Sequence, residues 1–152
     1  MHRQRIYVDT SVIGGCHDEQ FAEESRALVE MARRGELILL LSDLLFQELE
    51  DAPDEILDLI AGLPPDSYEM VSTTDEARLL RDQYIAAEIL GPSSEDDALH
   101  VAIATVCRAD LMLSWNFKHI LHIDKIRAFN AVNLLQGYQP IDIRSPREVV
   151  PL

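Results

Sequence analysis

Three carboxylates at the ends of predicted elements carry the chemistry of this 152-residue chain: Asp9 in IYVDTSVI, Glu48 in LSDLLFQELE and Asp97 in SSEDDALHVAIA. Asn116, in LMLSWNFKHI, occupies a fourth station of the same kind, with an amide in place of an acid. In an open α/β sheet, ligands bind outside the carboxyl ends of the strands. Carboxylates gathered there repel one another unless a hard cation neutralises them. The pattern predicts a Mg²⁺ or Mn²⁺ site, and such sites most often act on phosphates.

Each acid also has a plainer use. An aspartate placed like Asp9, after a buried strand and before Thr10-Ser11, serves equally as a loop residue or helix cap. A phosphatase of the haloacid-dehalogenase type would need a second aspartate two residues on, where Ser11 stands. Asp97 shares the first turn of its helix with Glu95 and Asp96, and the helix dipole favours acids there irrespective of function. Successive helical residues lie about 100° apart, so only one of the three faces the sheet edge. Asp97 is the one in phase with Val101 and Ala104. Glu48 is in phase with Leu44 and Leu45, whereas Glu50 looks outward. A glutamate on an apolar face needs a partner. His100 follows Asp97 by one turn, where it either hydrogen-bonds to that acid or fills the core as a satisfied histidine. His119 and His122 have i, i+3 spacing but lack the cysteines or HExxH context of a zinc site.

The elements that must position these groups follow from periodicity. Ile6, Tyr7 and Val8 form a short buried strand that turns into a loop at residues 9–11. Phe21, Ala27, Leu28, Met31 and Ala32 recur at helical spacing over 20–34, and Gly35 is a stop signal. LILLLS at 37–42 reads as an interior parallel strand, and Ser42 or Asp43 caps the helix bearing Phe46, Glu48 and Leu49. Pro53 falls early in the next amphipathic stretch, which Pro64-Pro65 ends. A third strand at 68–72 precedes a helix capped within residues 73–76 and running to about Leu90. After the break at 91–94, DDALHVAIATVCRA forms a helix whose Ala98, Ala102 and Ala104 allow close packing on a sheet. A strand at 111–115, the loop NFKH, a helix at 123–136 stopped by Gly137 and a strand at 140–144 complete the chain. The alternation predicts one α/β domain over residues 1–152, with a mostly parallel sheet, helices on both faces and right-handed crossovers.

Charge limits the functions available. Against 27 acidic residues there are only 13 Lys and Arg, a formal net charge of −14, so nucleic acid cannot be held by bulk electrostatics. Any such contact must come from local basic groups, metal ions or a partner. The two cysteines, Cys16 and Cys107, have neither metal-ligand spacing nor the pattern of a disulfide framework. With no leader in MHRQRIYVDTS, a reducing cytoplasmic setting is expected. The longest apolar run, LILLL at 37–41, is too short to span a membrane.

In this order and at these element ends, the motifs resemble the PIN domain, particularly the compact VapC-type toxin ribonucleases. YVDTSVI and EDDALHVAIA carry the resemblance, supported by DLMLSWN and the closing IRSPREVV, so that it spans essentially the whole chain. It implies a Rossmann-like sheet of about five strands in the order 3-2-1-4-5, with acids holding Mg²⁺ or Mn²⁺ for endonucleolytic cleavage of single-stranded RNA. It further implies the toxin half of a toxin–antitoxin pair, with a small antitoxin protein as partner and a homodimeric state. Carried over by motif, the metal ligands are Asp9, Glu48 and Asp97, and the usual fourth acid falls on Asn116. That departure bears chiefly on a second metal. A pair of divalent ions about 4 Å apart activates the attacking water and stabilises the leaving oxygen, and one ion does part of this. On the same reading Thr10 or Ser11 donates to a phosphate oxygen or orients Asp9, while Lys118 and His119 meet the RNA backbone. Two other classes stay open: a catalytically weak PIN-like module that binds nucleic acid or protein, and a metal-dependent phosphatase on the same scaffold.

Overall fold

The computed structural model describes residues 2–151. Strand β1 (Gln4–Val8) lies at the centre of the sheet, and its Ile6, Tyr7 and Val8 are fully buried. Both of its faces are covered, which is why the run is continuously apolar rather than alternating. Strands β2 (Leu37–Ser42) and β4 (Leu111–Leu113) flank it, β3 (Tyr68–Val71) lies outside β2, and β5 (Ile143–Arg144) lies outside β4. Every pairing is parallel and the order is β3-β2-β1-β4-β5, as expected from the sequence.

Seven α-helices connect the strands among the described residues: α1 (Thr10–Gly14), α2 (Ala22–Arg33), α3 (Asp43–Glu48), α4 (Asp54–Ala61), α5 (Asp75–Ala86), α6 (Glu95–Val106) and α7 (Ile123–Leu135). Alternate strand residues feed two apolar layers. Ile6 and Val8 pack with Leu28, Val29 and Ala32 of α2, while Tyr7 packs with Tyr84, Ala102 and Phe129 from α5, α6 and α7. The small residues Ala98, Ala102 and Ala104 of α6 are fully buried, as their size allows. No helix among the described residues is long and apolar enough to cross a membrane.

Several expectations change, and the closing strand expected over 140–144 is only Ile143–Arg144. Residues after β1 form α1, not a loop, because the Asp9 carboxylate accepts the Val12 N–H and caps a helical turn. Helix α5 stops at Ala86, short of Leu90, and Glu88 takes the left-handed conformation (φ 58°). A continued helix would bring Ala87 and Glu88 into phase with buried Leu80 and Tyr84. The reversal keeps the charge out and buries Ile89 and Leu90 instead. Strand β4, expected over 111–115, ends at Leu113. Ser114 N–H still reaches Arg144 O, but the two N–H groups after it turn to serine hydroxyls, Trp115 N–H to Ser11 and Asn116 N–H to Ser114.

Gly15, just after α1, has a packing reason to lack a side chain. A Cβ there would lie 2.7 Å from Ser25 Oγ and 2.9 Å from Trp115 Nε1, the two atoms that hydrogen-bond to each other. Gly15→Ala is therefore expected to cost about 1–3 kcal/mol by overpacking. A thermal melt checks it, and an unchanged Tm would mean that the Trp115–Ser25 pair yields freely.

Candidate functional site

Because all five strands are parallel, their carboxyl ends share one edge. Successive connections leave β1 in opposite directions, toward β2 and ultimately toward β4, so a crevice opens between β1 and β4. Asp9 enters it as the first residue past β1, its N–H still bonded to Leu113 O on β4 at 3.3 Å.

The Asp9 side chain is 4% exposed and its oxygens are held from three sides. Oδ1 accepts from Ser11 Oγ at 2.5 Å and from Val12 N–H at 3.3 Å, and Oδ2 accepts from Ser114 Oγ at 2.5 Å. Both serine oxygens receive a backbone N–H themselves, from Trp115 and Asn116, each at 2.9 Å. Their hydroxyl protons are thereby aimed at the carboxylate. Burial pushes the Asp9 carboxyl above its ordinary range, and the proximity of His100 and the hydrogen bonds recover only part of that.

Asp97 stands half-buried in the first turn of α6. Burial raises its carboxyl, His119 pulls the other way, and the charge of Asp9 raises it further, so the two acids feel each other. Asn116 helps to hold Asp97 ionised. Its Oδ1 accepts the His119 N–H at 2.9 Å, which leaves the amide Nδ2 as the group that can serve the acid. The ligand oxygen expected of Asn116 is thus engaged in capping a turn.

Glu48 ends α3, with Oε1 accepting from Thr10 Oγ1 at 2.6 Å and meeting His100 Nε2 at 2.5 Å. Burial would raise this carboxyl, but the bonds from His100 and Thr10 outweigh it and hold it below its ordinary range. Both bonds fall on Oε1; among the described residues Oε2 accepts none. His100 is 2% exposed, and its Nδ1 faces the Tyr7 hydroxyl at 2.6 Å. Tyr7 in turn meets Ser42 Oγ at 3.1 Å, and Ser42 caps α3 through the Leu45 N–H. Both ring nitrogens of His100 are committed in this way, so the alternative of a bond to Asp97 is not made. The partner that Glu48 needed is this histidine.

The remaining residues fall around the rim. Ser11 orients Asp9 while Thr10 orients Glu48, two roles that the sequence left undivided. Glu95 turns away to Arg81 at 3.3 Å and Asp96 is exposed. Lys118 is exposed and His119 half-buried, beside Asp97. The cap expected of Ser42 is made. The hydrogen bonds by which Ser114, Tyr7 and Ser42 support the site escaped the sequence reading, although each is a hydroxyl set in an otherwise apolar strand run, which is a usable signal.

Asp9, Asp97 and Asn116 therefore converge, with Glu48 anchored behind them. Among the described residues no group of three or more acidic, histidine or cysteine side chains closes into a ready metal cage. The Asp9–Asp97 pair nonetheless offers the oxygen donors that a hard divalent cation takes, on two carboxyls that are both raised, chiefly by burial.

No protein-family model matches the chain. No curated protein matches it. Among solved structures it is similar to VapBC2 from Rickettsia felis bound to a DNA fragment from their promoter, with 11% identity, a TM-score of 0.59, and 93% of this chain and 98% of the other covered. It is also similar to FitAB bound to an IR36 DNA fragment, with 14% identity, a TM-score of 0.55, and coverage of 93% and 94%. At these identities the likeness is one of fold.

Proposed function

On a chain that has the VapC-type PIN fold, we propose a metal-dependent endoribonuclease that cleaves single-stranded RNA, acting as the toxin partner of a small antitoxin. The observation that carries this reading is the Asp9–Asp97 pair at the strand-order switch, with Asp9 oriented by two hydroxyls whose polarity is fixed. Asp9 and Asp97 would hold Mg²⁺ or Mn²⁺, with Glu48 contributing Oε2. When bound, such an ion supplies a more acidic water and stabilises charge on a departing oxygen. Ser11 and Ser114 keep the Asp9 oxygens from rotating. Lys118 and His119 offer positive charge to phosphates at the rim, which matters because the protein as a whole repels them. Likeness to VapBC2 and FitAB, each solved on DNA, supports an antitoxin partner, and a homodimer is part of the same proposal.

The test is a panel of Mg²⁺ and Mn²⁺ against single-stranded RNA, duplex DNA and p-nitrophenyl phosphate. Cleavage of RNA alone is expected. The commitment of Asn116 Oδ1 to a turn favours a second reading, a binding module with little catalysis. RNA left intact by a protein that binds a partner peptide tightly would select that reading. Turnover of the phosphate ester alone would instead select a phosphatase.

Asn116→Asp probes the departure directly. A carboxylate oxygen can keep the His119 N–H, while the second oxygen adds a charge beside Asp97. At an effective dielectric near 20 such a charge contact is worth about 4 kcal/mol before desolvation. We expect Mn²⁺ affinity to rise by about tenfold after that discount, cleavage to quicken, and metal-free stability to fall. Calorimetric titration checks it. Equal affinity and stoichiometry in the two proteins would place Asn116 outside the coordination shell.

A further inference from the structure

A cavity of about 390 Å³ adjoins the carboxylate site and shares two of its walls, Ser11 and Asn116. Its apolar side is Phe21 and Trp115. These rings stack at 4.3 Å between centroids, tilted by only 17°. Trp115 is buried and fixed by its Nε1–H bond to Ser25 Oγ at 2.8 Å, and the Arg147 guanidinium lies 5.3 Å from its ring centre. Phe117 extends the group outward, 6.4 Å from Phe21 and 6.3 Å from Trp115, and is 52% exposed. A single exposed phenylalanine is unremarkable on any protein surface. This one continues, just outside the cavity lining, an aromatic step that is anchored by Trp115 and begins beside the acids.

We propose that the step is a nucleobase-stacking subsite, seating one unpaired base of the RNA strand against Phe21 and Phe117 next to the phosphate to be cut. The proposal rests on the ribonuclease reading and names how that site holds its substrate. A net charge of −14 leaves little general attraction for a phosphate backbone, so contacts that ignore charge would add to what the few local basic groups and a metal ion supply. Stacking is such a contact, worth about 1–3 kcal/mol per base, and every base has a face to offer. Lys118 follows Phe117 directly and is exposed at the same rim, where the phosphate flanking a stacked base would pass.

Trp115 is the only tryptophan, so its fluorescence reports on the step. The Asp97→Asn protein, in which cleavage is expected to be lost, is titrated with a single-stranded oligoadenylate and with the same strand carrying one abasic residue. Quenching is expected with the intact strand. Phe117→Ala in that background should weaken binding by roughly tenfold, and Phe117→Tyr should restore it. The best-placed abasic residue should cost about as much, and the two losses should not add, because they remove one contact from its two sides. The salt dependence of binding should be the same with and without Phe117.

Full affinity in Phe117→Ala, or losses that add, would overturn the subsite. Phe117 shielded only by a bound partner polypeptide, with oligonucleotide affinity untouched by Phe117→Ala, would give the cavity to that partner and overturn it likewise. Failure of the ribonuclease reading is separate: it shows as RNA left intact by the wild-type protein with Mn²⁺. Quenching and base-dependent binding report on the subsite whether or not cleavage occurs.

Discussion

Asp9→Asn is expected to lower metal-dependent cleavage on the order of a thousandfold while the protein stays folded. An amide keeps the size of the side chain and still caps α1, since asparagine is as good a cap as aspartate. What it loses is charge at the position where burial already makes a lone carboxylate expensive. It also cannot accept both serine hydroxyls. Ser11 and Ser114 each donate to a separate Asp9 oxygen, and an Nδ2 group in place of one of them leaves a hydroxyl proton without its acceptor. That loss costs about 1–3 kcal/mol, which removal of the buried charge offsets in the metal-free protein. Cleavage assays in Mn²⁺ beside thermal melts separate the two consequences. Activity within tenfold of wild type would take Asp9 out of the site.

The same two acids fix the sign of the pH dependence. Their carboxyls are raised in the folded chain, so the native state keeps protons that the unfolded chain has already released. Without metal, stability therefore falls as pH rises from the ordinary carboxylate range through the raised values. Divalent metal should reverse that fall and raise Tm, as any ligand of the native state does. In Asp97→Asn the fall should flatten and the response to metal should shrink. Melts between about pH 4 and 7, with and without Mn²⁺, read both.

His100→Ala is expected to destabilise the protein by about 2–4 kcal/mol, lowering Tm by roughly 5–12 °C. The imidazole is buried and both nitrogens are committed, one to Tyr7 on β1 and the other to Glu48 on α3. Its removal leaves a void under α6, a buried tyrosine hydroxyl with Ser42 alone, and a glutamate held only by Thr10. The Glu48 side chain is 30% exposed, so solvent screens its share and most of the loss is packing and the Tyr7 bond. Its pH signature is still distinct. The Glu48 carboxyl is lowered on folding, so its contribution is present above the ordinary carboxylate range and is lost as pH falls through the lowered value. Urea titrations on the acid side should show that limb in wild type and a flatter one in His100→Ala. Identical acid limbs would mean that His100 does not govern Glu48.

The interior strands were legible because parallel interior strands are written as uninterrupted apolar runs, IYV, LILLL and LML, and nothing local competes with them. Their order came from the resemblance to the PIN domain and not from the runs. Helical phase alone pointed Asp97 to the sheet edge and required a partner for Glu48. The identity of that partner was not legible. His100 lies 52 residues from Glu48 and 93 from Tyr7, and only the packed sheet brings them together. Ser114 reaches Asp9 across 105 residues for the same reason. Nor could sequence show which end of the Asn116 amide would face Asp97, since that depends on the backbone of the turn to His119. The early stop of α5 was hidden by Ala87, a good helix former standing where the helix had already ended.

That turn also has a genetic side. The codons for asparagine and aspartate differ in their first base alone, and the turn at Asn116 asks only for an oxygen that either residue supplies. A fourth acid at this edge is therefore a single transition away, and so is its loss, with the turn kept in both forms and only some metal-free stability separating them. On the proposed reading, a weaker and a stronger version of the site are thus immediate neighbours in sequence space, one base change apart, and a lineage can cross between them in a single step in either direction.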